Sequence, residues 1–172
     1  MKGSTKRIEQ VILAPSAAMT IRDEALRSVD GNETGGLLLG QVDTDATAWV
    51  RSAGDPGPAA VHRPAFFLRD LHHAQRLAAE AFARDGSESI GEWHTHPDAT
   101  PTPSARDRHT YLRFLTDPQL CFDAFVALII VAPAGVWHQP EAHAWVCSHR
   151  VAEHVPLTIT SDSTVRPTGE TR

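Results

Sequence analysis

The sequence predicts a mixed α+β domain, a curved sheet with three helices packed on it, and three observations carry that expectation. The run Leu37-Leu38-Leu39 suits a strand buried on both faces, and DAFVALIIVA at 123–132 is the strongest strand signal in the chain. Three other stretches carry apolar residues at helical spacing. The order along the 172 residues is strand, helix, strand pair, helix, strand, helix and then strands, enough for one domain with its own core.

Residues 7–14 (RIEQVILA) read as the first strand. Pro15 suits the first turn of a helix running to about Val29, with Met19, Ala25, Leu26 and Val29 expected on its apolar face. Asp30-Gly31-Asn32 stops that helix and turns the chain into ETGGLLLGQV, for which ATAWVRSA at 46–53 is the hairpin partner. GDPGP at 54–58 is a loop by its turn residues. A second helix is expected from Leu68 to Arg84, with Leu71, Ala74, Leu77, Ala78 and Ala81 inward and Asp85-Gly86-Ser87 as its end. SESIGEWHTH at 87–96 alternates as a strand and stops at Pro97. The three prolines of PDATPTP at 97–103 remove donors and fix φ, which makes that segment a loop. Ser104 opens a third helix whose apolar face is Tyr111, Leu112 and Leu115. VWHQPEAHAWVCSH at 136–149 supplies one or two further strands. Residues 1–157 are assigned to the domain and 158–172 to a polar tail that frays.

Composition removes several function classes. A net charge of −5 offers no basic footprint for nucleic acid. The longest apolar stretch is interrupted by Pro133 and Gly135, short of the roughly 18–20 residues of a membrane span. The basic N-terminus lacks the sustained apolar run of a signal peptide. Cys121 and Cys147 form no CxxC pair and read as two buried thiols rather than a disulfide. Together these favour a cytoplasmic protein.

The chemistry gathers around one loop. His94 and His96 stand two apart at the end of a strand, so their imidazoles share a face and can converge on one ion. Asp107 lies in the first turn of the next helix, and the rigid proline loop returns the chain toward the histidines. Two histidines and a carboxylate form a ligand set for catalytic zinc, with the fourth position left to water. Glu33, after a turn and before Gly35 and Gly36, is the best general base, the glycines allowing close backbone approach. Ser104, one turn before Asp107, can donate to a developing oxyanion. Each residue alone also has an ordinary reading. Ser104 with Asp107 is a variant of the helix capping box, Glu33 a turn carboxylate, and the two histidines satisfied core residues. Glu92 shares a face with His94 and is either a partner orienting the imidazole or a plain polar strand residue. Trp93 should pack on the opposite face. His72, His73, His138, His143, His149 and His154 read as surface or satisfied histidines, and His109 should point away from the site.

The combination is more specific than its parts. HTHPDATPTPSARD fits H-x-H-x(7)-S-x-x-D, and with the glutamate of ETGGLLLG it closely resembles the JAMM motif of the JAB/MPN metallopeptidases, over about residues 8–150. The resemblance implies that family's fold, a curved mixed or antiparallel sheet wrapped by three helices and similar to cytidine deaminases. It also implies zinc held by His94, His96 and Asp107, Glu33 as base and Ser104 as oxyanion stabiliser. The implied activity is hydrolysis of a peptide or isopeptide bond at the C-terminus of ubiquitin or a ubiquitin-like protein. The chain leaves little room for the insertions with which eukaryotic relatives grip two ubiquitins. GEWHTHP and ETGGLLLG look more like stand-alone bacterial JAB proteins. Some of these accompany ThiF-like activating and ubiquitin-conjugating-like proteins, including in CBASS antiphage systems, which implies a ubiquitin-like protein or its conjugate as partner. Sulfur-carrier trimming, small-peptide cleavage and a non-catalytic interaction module are the other roles the resemblance leaves open; the unsubstituted motif argues against the last.

Overall fold

A computed structural model describes residues 7–161. Its centre is an eight-stranded mixed sheet in the order β10-β1-β3-β2-β6-β7-β8-β9. The strands are β1 (Gln10–Leu13), β2 (Gly35–Val42), β3 (Thr47–Ala53), β6 (Glu88–His96), β7 (Phe125–Val131), β8 (Glu141–Cys147), β9 (Ala152–Val155) and β10 (Leu157–Ile159). β1 pairs parallel with β3 and β10, and β6 parallel with β7; the other neighbours are antiparallel. The sheet curves until β10 touches β8. Three helices pack on it: α1 (Pro15–Arg27), α2 (Leu71–Asp85) and α3 (Ala105–Thr116). The expected class, a curved mixed sheet wrapped by three helices, is the one observed.

All seven residues of β7 are buried, as a strand covered on both faces requires. Beside it, β6 buries every residue from Ile90 to His96, polar ones included. Trp93 packs away from His94 and His96, and its indole N–H donates to Gly54 O at 2.9 Å. The glycines of β2 permit this packing: a Cβ on Gly35 would stand 2.3 Å from Trp93 O, and one on Gly36 would stand 1.9 Å from Gly54 O.

The helices end where their residues dictate. Pro15 starts α1, Asp70 caps α2 by accepting from His73 N–H, and Gly86 closes α2 in the left-handed region at φ 72°. The inward faces differ in part from those expected. Met19, Leu26 and Val29 are exposed, and α1 buries the expected Ala25 together with Ala17 and Ile21. These stand at i, i+4 and i+8, and the small residues let the helix lie close on β3. Leu112 is exposed beside buried Tyr111 and Leu115, and Leu71 is exposed at the start of α2. α2 begins three residues later than expected, because Leu68 belongs to an unforeseen two-stranded hairpin, β4 (Val61–Arg63) and β5 (Phe66–Leu68). Cys147 is a buried free thiol, whereas Cys121 is exposed. Thr158 and Ile159, expected to fray, pair with β1; residues 162–172 of the proposed tail lie outside the described residues. No helix among the described residues is long and apolar enough to cross a membrane.

Candidate metal centre

His94 and His96 end β6, both buried and on one face. Their Nε2 atoms are 3.0 Å apart. Asp107 Oδ2 lies 3.6 Å from His94 Nε2 and 3.3 Å from His96 Nε2. Tetrahedral ligands at metal–nitrogen distances of about 2.0–2.1 Å stand roughly 3.3 Å from one another. The donor atoms therefore already have the mutual spacing a zinc ion requires, and they form the metal-capable cluster found among the described residues.

Two of the three donors are held from behind by hydrogen bonds. His96 Nδ1 lies 2.7 Å from Thr100 O, so it carries the proton and leaves the Nε2 lone pair facing the cluster. Thr100 is brought there by a turn in which Ala99 adopts φ 60° and Ala99 N–H donates to His96 O at 3.0 Å. Asp107 sits at the third residue of α3, where Ser104 and Asp107 make a reciprocal capping box. Burial opposes ionisation of Asp107, but the two histidines facing it outweigh that and hold its carboxyl well below the usual range. Burial pushes His94 down, toward the neutral imidazole that metal binding needs. For His96 burial acts in the same direction, but the bonds to Asp107 and the Thr100 carbonyl prevail and raise it.

Glu33 comes from a distant part of the chain. Thr34 N–H donates to Thr95 Oγ1 at 2.9 Å, and Thr95 N–H donates to Thr34 O at 2.8 Å. These bonds extend the β2–β6 ladder beyond the Gly35–His94 pair, so Glu33 comes opposite His96. The hairpin secures it from the other side: Glu33 N–H donates to Arg63 O at 2.8 Å, and His62 Nδ1 donates to Glu33 O at 2.9 Å. Burial pushes the Glu33 carboxyl up to about 7.

Glu33, His94 and Asp107 line one cleft of about 550 Å³. Its far wall is the hairpin, through Phe66, Phe67 and Leu68, and α3 contributes Arg106, His109 and Arg113. His109 thus faces the cleft, contrary to expectation. Arg106 stacks over the Phe66 ring at 4.3 Å and reaches Ala65 O at 3.5 Å, tying α3 to the hairpin tip. A larger hollow of about 830 Å³ lies on another face, around Asp43, Trp49 and Asp123, away from these groups. The sequence reading missed His62, Arg69 and the hairpin. Strands of three residues next to Pro56, Pro58 and Pro64 carry almost no periodic signal.

A curved mixed sheet presenting two histidines and a carboxylate at metal-ligand spacing, with a glutamate in register beside them, has the donor set of a candidate metal centre. The family model described as prokaryotic homologs of the JAB domain matches residues 16–148, and the chain belongs to that family. It is similar to a CD-NTase/cGAS isopeptidase of Vibrio cholerae serotype O1, 33% identical over 108 residues, covering 61% of this chain and 65% of that protein. A CD-NTase/cGAS isopeptidase of Enterobacter hormaechei subsp. hoffmannii is 26% identical over 133 residues, covering 73% of this chain and 69% of that protein. The match thus spans slightly under two thirds of the Vibrio protein's length. The solution structure of protein DSY2949 from Desulfitobacterium hafniense shares the fold, with a TM-score of 0.63 over 88% of this chain and 94% of that one at 24% identity.

Proposed function

We propose that this chain is a zinc metallopeptidase of the cytoplasm that cleaves a peptide or isopeptide bond after the C-terminus of a ubiquitin-like protein, in deconjugation or maturation. The observation that carries the reading is the spacing of 3.0, 3.3 and 3.6 Å among His94, His96 and Asp107 beside a glutamate whose carboxyl is pushed up to about 7. His94, His96 and Asp107 hold the metal. When bound there, zinc supplies Lewis acidity, lowering the pKa of a water and polarising the scissile carbonyl.

Glu33 takes a proton from the attacking water and returns it to the leaving amine; burial raises its carboxyl in the metal-free protein, toward the range in which one group can serve both transfers. The Ser104 oxygen accepts from Asp107 N–H at 3.1 Å, which leaves its own O–H to donate to the oxyanion. Glu92 is the weaker candidate for base, because it is ion-paired with Arg69. The scissile segment enters the cleft between the hairpin and α3, and ThiF-like activating and ubiquitin-conjugating-like proteins are the expected companions. The names of the similar proteins make a conjugate of a CD-NTase-type enzyme the first substrate to test.

The decisive experiment incubates the zinc-loaded protein with a reporter fused after a ubiquitin-like tail ending in glycine, alongside Glu33→Gln. Cleavage at the tail by wild type alone is expected. No zinc uptake by wild type overturns the reading. Zinc uptake with cleavage of a sulfur-carrier fusion or a small peptide instead would replace the substrate and keep the chemistry.

A further inference from the structure

The metal reading leaves one buried atom without a partner. His94 turns Nε2 toward His96 and Asp107, and its other nitrogen, Nδ1, has no hydrogen-bond partner among the described residues. A neutral imidazole that gives Nε2 to a metal carries its proton on Nδ1, and a buried N–H without an acceptor is costly. The group facing that nitrogen is Glu92, whose Oε1 is 3.7 Å away. The alternation of β6 explains the placement, since Glu92 and His94 are two apart on the face that also carries His96.

Glu92 is itself buried, and a carboxylate there needs compensation. Arg69 provides it by pairing with Oε2, the other oxygen of Glu92. Arg69 is fixed in position by its neighbour: Asp70 N–H donates to Pro56 O at 3.0 Å, and Asp70 caps α2. The side chains of Arg69, Glu92 and His94 are 20%, 11% and 4% exposed, so water competes little for these contacts.

We infer that Arg69 and Glu92 form a positioning pair for the metal centre, in which Glu92 accepts the Nδ1 proton of His94 and Arg69 holds Glu92 in place to do so. Closing 3.7 Å to a hydrogen bond takes a shift of under 1 Å at the end of one flexible carboxylate. The pair fixes the tautomer and ring orientation of His94, as the Thr100 carbonyl does for His96. It also links the centre to the segment between the hairpin and α2, which supplies Arg69. Both residues line the cleft beside His94, and Arg69 reaches the histidine only through Glu92.

This inference rests on the zinc reading above, and the test separates the two. Zinc affinity is measured by competition with a chromophoric chelator for wild type, Glu92→Ala, Glu92→Gln, Arg69→Met, Arg69→Lys and the Glu92→Ala/Arg69→Met double variant. Metal-free melting curves identify variants that remain folded at the assay temperature. Loss of an outer partner of a metal-bound histidine typically weakens binding about 10- to 100-fold. A loss in that range is expected for Glu92→Ala, with smaller losses for Glu92→Gln and Arg69→Met, restoration by Arg69→Lys, and no additional loss in the double variant.

In the cobalt-substituted protein, the paramagnetically shifted Nδ1 proton of His94 should exchange with water faster in Glu92→Gln than in wild type. If Glu92→Gln and Glu92→Ala bind zinc within twofold of wild type, or the proton exchanges equally fast, the pair is a fold-stabilising ion pair and the inference is wrong. If wild type binds no zinc, the metal reading falls and this inference falls with it.

Discussion

Ser104 and Asp107 hold each other across the first turn of α3: Ser104 Oγ accepts from Asp107 N–H at 3.1 Å, and Asp107 Oδ2 accepts from Ser104 N–H at 2.6 Å. The same Oδ2 faces both histidines. One capping box therefore starts a helix and aims the Asp107 carboxylate at the two histidines, and the two readings of S-x-x-D that the sequence left open are compatible in one geometry. Ser104→Ala should cost about 0.5–2 kcal/mol of stability from the lost cap and about 10²–10³ in kcat from the lost oxyanion donor. Ser104→Asp, whose carboxylate caps the helix but cannot donate, should restore the melting temperature and leave kcat low. Thermal melts and steady-state kinetics on the pair check this; recovery of kcat in Ser104→Asp would mean that the serine acts only as a cap.

Glu33→Gln should keep the fold and about one zinc per chain while losing about 10²–10⁴ of turnover, as expected for removal of a general base. Metal analysis and kcat on the fusion substrate check it. Near-wild-type turnover would remove Glu33 from the mechanism.

The raised Glu33 carboxyl also sets a pH dependence of stability in the metal-free protein. Below its ordinary value of 4.5, both folded and unfolded chains hold the proton, and Glu33 costs nothing. Between 4.5 and about 7 the folded chain retains a proton that the unfolded chain has released, so stability falls as pH rises, and above about 7 the whole cost is present. Metal-free Glu33→Gln should therefore melt above metal-free wild type at pH 8 and level with it at pH 4. Zinc should narrow the gap at pH 8, because a nearby cation favours the carboxylate. Melting curves at the two pH values, with and without zinc, decide it.

Much of the centre was legible because its signals are local. The two-residue period of β6 put His94 and His96 on one face, the proline loop fixed the return to α3, and Gly35 and Gly36 announced close backbone approach. The hairpin wall of the cleft was not legible. Its six strand residues are held by long-range bonds to Glu33 and by the Arg106 contact with Phe66, neither of which has a periodic trace. The buried face of α1 was misread for a related reason. Ala25 is buried as expected, but large apolar residues drew the rest of the assignment, whereas the close approach to β3 selects Ala17 and Ile21 beside it.

The Arg106 contact predicts a kinetic effect at the cleft. Arg106→Ala unties the hairpin tip from α3 without touching the metal donors. KM should rise severalfold through poorer positioning of the substrate segment, while zinc affinity stays unchanged. Parallel kinetics and metal titration check this, and a loss of zinc would show that the hairpin supports the centre itself.

All three proposed metal donors fall between residues 94 and 107, whereas Glu33 lies some sixty residues upstream. Closing so short a loop around an ion costs little chain entropy, and the cost grows only slowly with loop length. On the zinc reading proposed above, the unfolded polypeptide would already have a segment able to capture the ion, through His94, His96 and Asp107, before any sheet exists. The ion's effect on the melting temperature should accordingly fall short of that calculated from its affinity for the native state alone, since binding to the unfolded chain offsets part of the gain. On the same reading, assembly of the domain would mainly deliver the proposed base: the β2–β6 pairing that brings Glu33 beside His96 would turn a metal-binding loop into a catalyst, and a chain that misfolded after capturing zinc would carry the ion but lack the proton acceptor.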